Sequence, residues 1–118
     1  MDNKWSIKEH IGHLVDLEDL HEGRIEDFMT RKRILRAADM KNVKTEKANH
    51  NTRNLQEIIQ EFMNKRNLFI SNLENLDKEV LNFKSLHPRL KALMSPIDMA
   101  FFTAEHDDHH LLSISELI

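Results

Sequence analysis

The chain has 118 residues, 31% of them charged, with two glycines, two prolines, no cysteine and a formal net charge of −3 with histidine neutral. That length fits one domain over residues 1–118, the sparse turn residues argue against an all-β fold and for long helices, and the lack of thiols leaves nitrogen and oxygen as the only protein ligands for a metal. The acidic balance argues against a nucleic-acid partner, no apolar run approaches the ~20 residues that span a bilayer, and the polar opening MDNKWSIKEH lacks a signal peptide's apolar region, so a soluble cytoplasmic protein with no membrane partner is expected.

The first helix is predicted from about Ser6 to Arg36. Ser6 with Glu9 reads as a capping box, and Trp5 precedes it as an apolar N′ residue. Ile7, Ile11, Leu14, Leu17, Leu20, Ile25 and Phe28 recur near helical spacing. The basic run Arg31, Lys32, Arg33 and Arg36 reads as a solvated helix end, where cations meet the negative end of the dipole. Residues 37–51 lose the periodicity and read as a connection, long for a compact domain. A second helix follows from about Thr52 to Asn75, with Leu55, Ile58, Ile59, Phe62, Phe69 and Leu73 on one stripe. Arg66 interrupts that stripe; it reads as a stem-buried residue at the core edge, with a substrate-anion anchor as the sharper alternative. Residues 76–94 read as irregular, because the His87-Pro88 step disfavours helix. The last helix opens at Ser95-Pro96, with Ser as N-cap and Pro at the first position, and runs to the end. Three such helices make an all-α bundle, and they leave an apolar face open unless a further element covers it.

The stretch AEHDDHHL, residues 104–111, holds three of the eight histidines. On the last helix, Met99, Phe102, His106, His110, Ser113 and Leu117 follow steps of three and four and form one stripe. His106 and His110 therefore stack one turn apart in an apolar seam. His109 lies on its flank, Asp108 points away, and Glu105 and Asp107 sit on either side. An i, i+4 histidine pair is a common way for a helix to present two metal ligands; a lone histidine on such a stripe is more often a satisfied core residue. A third ligand is needed, and His10, His13 and His21 on the first helix all lie near its core face, so spacing does not choose among them. His50 and His87 lie in the connections, where a surface or hydrogen-bonding role is the simpler reading. HDDHH matches the zincin pattern only with Asp107 in place of Glu, one methylene short. Ser113 and Ser115 lack an oriented Ser–His–Asp set, and no glycine-rich phosphate loop is present.

KWSIKEHIGHLVDLE, Lys4 to Glu18, together with AFFTAEHDDHHLLSISELI, Ala100 to Ile118, resembles the DinB/YfiT-like superfamily of bacterial helical bundles. The connecting stretch ADMKNVKTEKANHN is similar to one branch of it. The resemblance covers nearly all of the chain; its motifs are short, and their order and separation make them specific together. It implies a four-helix bundle of up-down-down-up topology with a divalent metal on three histidines, zinc or nickel foremost and iron or manganese as alternatives. The histidine of the family's second helix falls on His13, and the last-helix pair on His106 and His110. Only four residues precede Trp5, so this chain looks like the family's last three helices without the usual first. Because members commonly dimerise, a symmetric homodimer is expected to cover the open face.

Three neutral imidazoles leave an ion its full charge and at least one open position, the pattern of a catalytic site. The resemblance implies a metal-dependent enzyme that activates water or a small thiol, of the hydrolase or thiol-transferase type, with Glu105, Asp107 or His109 in supporting or proton-transfer roles. The alternative is a non-enzymatic metal- or ligand-binding stress-response protein that works as a homodimer. A third reading is a helical interaction module whose histidines are satisfied by water.

Overall fold

A computed structural model of the chain describes residues 4–40 and 42–118. Three long helices carry the fold: α1 (Ile7–Met29), α3 (Leu55–Glu74) and α5 (Pro96–Leu117). Between the first two lie a short α2 (Val43–Ala48) and a single 3₁₀ turn (His50–Thr52). Between the last two lie α4 (Lys78–Leu81) and a minimal hairpin, β1 (Ser85–Leu86) with β2 (Leu93–Met94). The fold is all-α apart from that hairpin.

The helix starts follow the capping chemistry. Ser6 Oγ accepts from Glu9 N and the Glu9 carboxylate accepts from Ser6 N, the reciprocal bonds of a capping box. Ser95 and Asp98 do the same at α5, with Pro96 in the first turn. Asn54 caps α3 by accepting from Gln56 N and Glu57 N. The helix begins at Leu55, three residues later than the Thr52 expectation, because residues 50–52 close a separate 3₁₀ turn.

α1 ends at Met29, not at Arg36. Thr30 is its C-cap and Arg31 turns into the left-handed region at φ 56°. The next residues then join the hairpin: Leu35 N donates to Leu86 O, Leu86 N to Arg33 O, and Ser85 Oγ to Lys32 O. The gain is burial of Leu35 to 2% exposure. The basic run is therefore an extended segment rather than a helix end, and residues 76–94, expected to be irregular, hold the helical turn and strand pair against which it docks.

Helix direction follows from the cross-helix pairs. Arg66 meets Glu18, Phe69 meets His21, and Asn72 meets Glu22, so α1 and α3 run parallel. His10 and His13 meet His110, while Ile25 shares the core with Met99, so α5 runs antiparallel to α1. This down-down-up order matches the last three helices of an up-down-down-up bundle. α1 lies between the other two and is buried round most of its girth. The apolar core (Ile25, Phe28, Leu35, Phe69, Leu76, Val80 and Met99) sits around the C-terminal half of α1. The N-terminal half buries Leu14 and Val15 and also presents His10 and His13 to the histidines of α5.

Candidate metal centre

His13 projects from the second turn of α1, and His106 and His110 project from successive turns of α5. The antiparallel packing brings the three rings together, with centroids 4.6 Å apart for His106–His110, 4.9 Å for His13–His110 and 5.7 Å for His13–His106. One nitrogen from each ring lies within 4.8 Å of the others. Tertiary packing thus separates His13 from its neighbours: His21 is buried against Phe69 two turns further along, and His10 approaches the cluster from its edge.

The hydrogen bonds behind His13 assign its proton. Thr45 on α2 gives its single hydroxyl hydrogen to Asp16 Oδ2 at 2.8 Å. Its oxygen lies 3.2 Å from His13 Nδ1, so that nitrogen must be the donor. His13 therefore carries its proton on Nδ1 and keeps the Nε2 lone pair for the centre. The network runs on: His50 Nε2 donates to Asp16 Oδ2 at 3.0 Å, which leaves His50 Nδ1 to accept from Arg53 at 3.2 Å, and Arg53 is held by Glu61 at 2.7 Å. His50 is 2% exposed and packs directly on Gly12. A Cβ at residue 12 would stand 2.3 Å from the imidazole, so any side chain there would push the whole network away. An oriented histidine backed by hydroxyl and carboxylate is the usual support of a metal ligand.

His10 Nδ1 lies 2.9 Å from His110 Nδ1, so one ring donates to the other; with His110 as the donor, its Nε2 keeps the lone pair. Trp5 covers the group, its indole 6.0 Å from the His110 ring and nearly parallel at 15°, anchored by Nε1 to Glu46 at 3.3 Å. Burial lowers the pKa of all three histidines of the cluster. His13 falls to about 4, through burial first and then His106, with Asp16 opposing. His110 falls to about 3, through burial and then His106, His13 and His10. His106 is also lowered, by burial, with Asp107 opposing. At neutral pH the three rings are uncharged and have lone pairs to give.

The three supporting residues fare differently. Asp107 accepts from both Arg66 terminal nitrogens, at 2.5 and 3.2 Å, and Arg66 Nε reaches Glu18 at 2.6 Å. Asp107 is thereby bound into an ion cluster that ties α5 to α3, which also takes the acid out of the HDxxH pattern. Glu105 is exposed on the outer face of α5. His109 is exposed beside the site, edge-on to His110 with centroids 5.6 Å apart. Arg66 lies at the core edge with its guanidinium over Phe62, and its donors go to the protein's own Glu18 and Asp107. Thr45, Asp16 and His50 were not legible as site residues in the sequence. Asp16, one turn after His13, was the sole local signal.

The cluster opens onto a cavity of about 610 Å³ that runs along α1 and α5, with Leu17, Leu20 and Phe102 among its walls. The donor set suits a borderline divalent cation: three neutral imidazoles with no cationic side chain hydrogen-bonded to them, one oriented by a hydroxyl–carboxylate pair. Tetrahedral ligands at ~2.1 Å sit about 3.4 Å apart, so small imidazole rotations close the present spread.

No curated protein and no solved structure matches the chain. A model of the DinB superfamily matches residues 1–114, nearly the whole length. With three histidines gathered from the first and last long helices of a down-down-up array, the chain belongs to the DinB superfamily.

Proposed function

We propose that this protein is a metal-dependent enzyme of the hydrolase or thiol-transferase kind, with His13, His106 and His110 holding one divalent cation, zinc or nickel before iron or manganese. The observation that carries the reading is the convergence of three neutral imidazoles, two buried and that of His106 half-buried, on a cavity large enough for a small molecule. A divalent ion held there would supply Lewis acidity to a water or small thiol. The protein's own part is positioning. Thr45 and Asp16 fix the His13 ring, Trp5 shields the cluster, the apolar walls exclude water, and the exposed His109 stands where a proton can pass to solvent.

Elemental analysis of protein purified without added metal tests this. About one ion per chain is expected, lost in His106→Ala with the helical circular dichroism retained. Thr45→Val is expected to weaken metal affinity about 10- to 100-fold in a chelator competition, because it unties His13. Metal-free protein from metal-replete cells would overturn the reading. Turnover of thiol–electrophile or ester and amide substrates that depends on His13 and the metal then establishes an enzyme.

One observation favours a second reading, a non-enzymatic metal- or ligand-binding stress-response protein. His10 sits within hydrogen-bonding distance of His110, and a fourth nitrogen would close the coordination shell. Loss of metal from His10→Ala would support that closed site, whereas unchanged affinity supports the open one.

The proposal includes a symmetric homodimer. Met63 and Ile70 on α3, and Ile97, Phe101 and Leu112 on α5, form exposed apolar faces at helical spacing. Light scattering is expected to give twice the 14.0 kDa chain mass; a monomer at micromolar concentration would contradict it.

A further inference from the structure

The cavity has a second chemical end. Arg24 stands eleven residues after His13 on α1, about 16 Å further along and turned by only about 20°. Both residues line the cavity, with Leu17, Leu20 and His21 on the face between them. His87 and Arg89, from the segment between β1 and β2, also line the cavity, with Arg89 near enough to act electrostatically on Arg24, His87 and His106.

Arg24 is 4% exposed, and its hydrogen bonding is incomplete. Nε donates to Arg36 O at 3.0 Å, while Nη2 is buried with no partner. The nearby carboxylate does not serve it: Asp27 takes three hydrogen bonds from Arg36, through the backbone N, Nε and Nη2. Burial pulls the Arg24 guanidinium below its ordinary range, and Arg89 and Arg36 add to this while Asp27 opposes. A buried guanidinium without its own counter-ion is costly unless something completes it.

His87 adds a directed donor. It is 2% exposed, and its Nδ1 accepts from Arg89 N at 3.2 Å and Leu90 N at 3.1 Å. The proton is therefore on Nε2, for which no protein acceptor is present among the described residues. Arg89 is exposed and makes no ion pair among the described residues. The carboxylate lining this cavity is Asp39, which already accepts from Val43 N. Arginine donors in excess over carboxylates, beside a free imidazole N–H, are the usual receptor for an oxyanion.

We infer that Arg24, His87 and Arg89 form an anion subsite, and that the cavity takes an elongated small molecule whose carboxylate or phosphate group lies there while its other end reaches the histidine cluster. The orientation of that molecule rests on the reading of the cluster as the reactive end; the subsite itself does not.

The test is isothermal titration of chelator-treated protein at low ionic strength with two probes, glutarate and glycerol 3-phosphate. Saturable one-to-one binding of at least one is expected, and the preference between them identifies the anion as carboxylate or phosphate. Arg24→Met is expected to weaken binding about 10-fold or more, the worth of a charged hydrogen bond. Arg89→Glu, at an exposed position that leaves folding intact, is expected to do the same, so a failure of Arg24→Met to fold leaves the test intact. Because the titrated protein is chelator-treated, the result is separate from the fate of the metal proposal. No saturable binding of either probe, or equal binding in Arg89→Glu, would overturn the subsite.

Discussion

Chelator-treated protein is expected to lose stability steeply as pH falls from 6.5 towards 4. Three buried histidines drive this. Burial holds His13 at about 4, and His21 and His110 at about 3, in the folded chain. In the unfolded chain each takes a proton near 6.5. Between those values the unfolded state binds more protons than the folded one, so stability rises with pH and falls on acidification. Each group contributes up to about 1.4 kcal/mol per pH unit in that window. The groups face one another, since His106 and His13 both lower His110, so protonating one makes the next harder and the folded state stays proton-poor to lower pH. Urea unfolding at pH 7, 6 and 5 measures it: the midpoint should drop at each step. His21→Leu removes a group outside the cluster, beside Phe69, and should make the dependence shallower by about one proton. A midpoint unchanged from pH 7 to 5 would contradict the buried, neutral state of all three.

The second large effect lies at Arg66. Arg66→Met is expected to cost the fold about 3–5 kcal/mol, because it leaves buried charges without their partner. Glu18 is 1% exposed, with one oxygen on Arg66 Nε and the other already lacking a partner. Asp107 holds the other side of the guanidinium and is the ionic link between α3 and α5. The methionine keeps the apolar stem over Phe62 but supplies no donors. Arg66→Lys should recover little, since a single ammonium does not match two carboxylates approached from different sides. Glu18→Gln in the Arg66→Met background should recover a large part, because it removes the uncompensated charge rather than restoring a contact. Chemical denaturation of the three variants checks the order. A loss below about 1 kcal/mol for Arg66→Met would show that the cluster is solvated and contributes as a surface pair does.

The histidine cluster divides into what local pattern carries and what it does not. His106 and His110 were legible because i and i+4 lie on one face of any helix, whatever packs against it. Ser6 with Glu9, and Ser95 with Pro96 and Asp98, marked helix starts because capping is satisfied within four residues. The choice of His13 over His10 and His21 was not legible from spacing: all three lie near the core face of α1, and only the level at which α5 crosses decides which ring meets the pair. Nor does residue type say which group holds Asp107. Its position beside the histidines fitted a supporting acid, but Arg66, 41 residues earlier in the chain, claims it.

Composition and periodicity by themselves determined an all-α chain of three amphipathic helices, the starts of the first and last, and two stacked histidines, since each depends on interactions within a turn or two. Tertiary structure alone decided that α1 stops at Met29 so that Leu35 can be buried on the hairpin, that Thr45 and Asp16 stand behind His13, and that Arg24 is left without a counter-ion at the far end of the histidine cavity. These depend on groups tens of residues apart whose hydrogen bonds and charges must be satisfied together, and no local window of the sequence contains both partners.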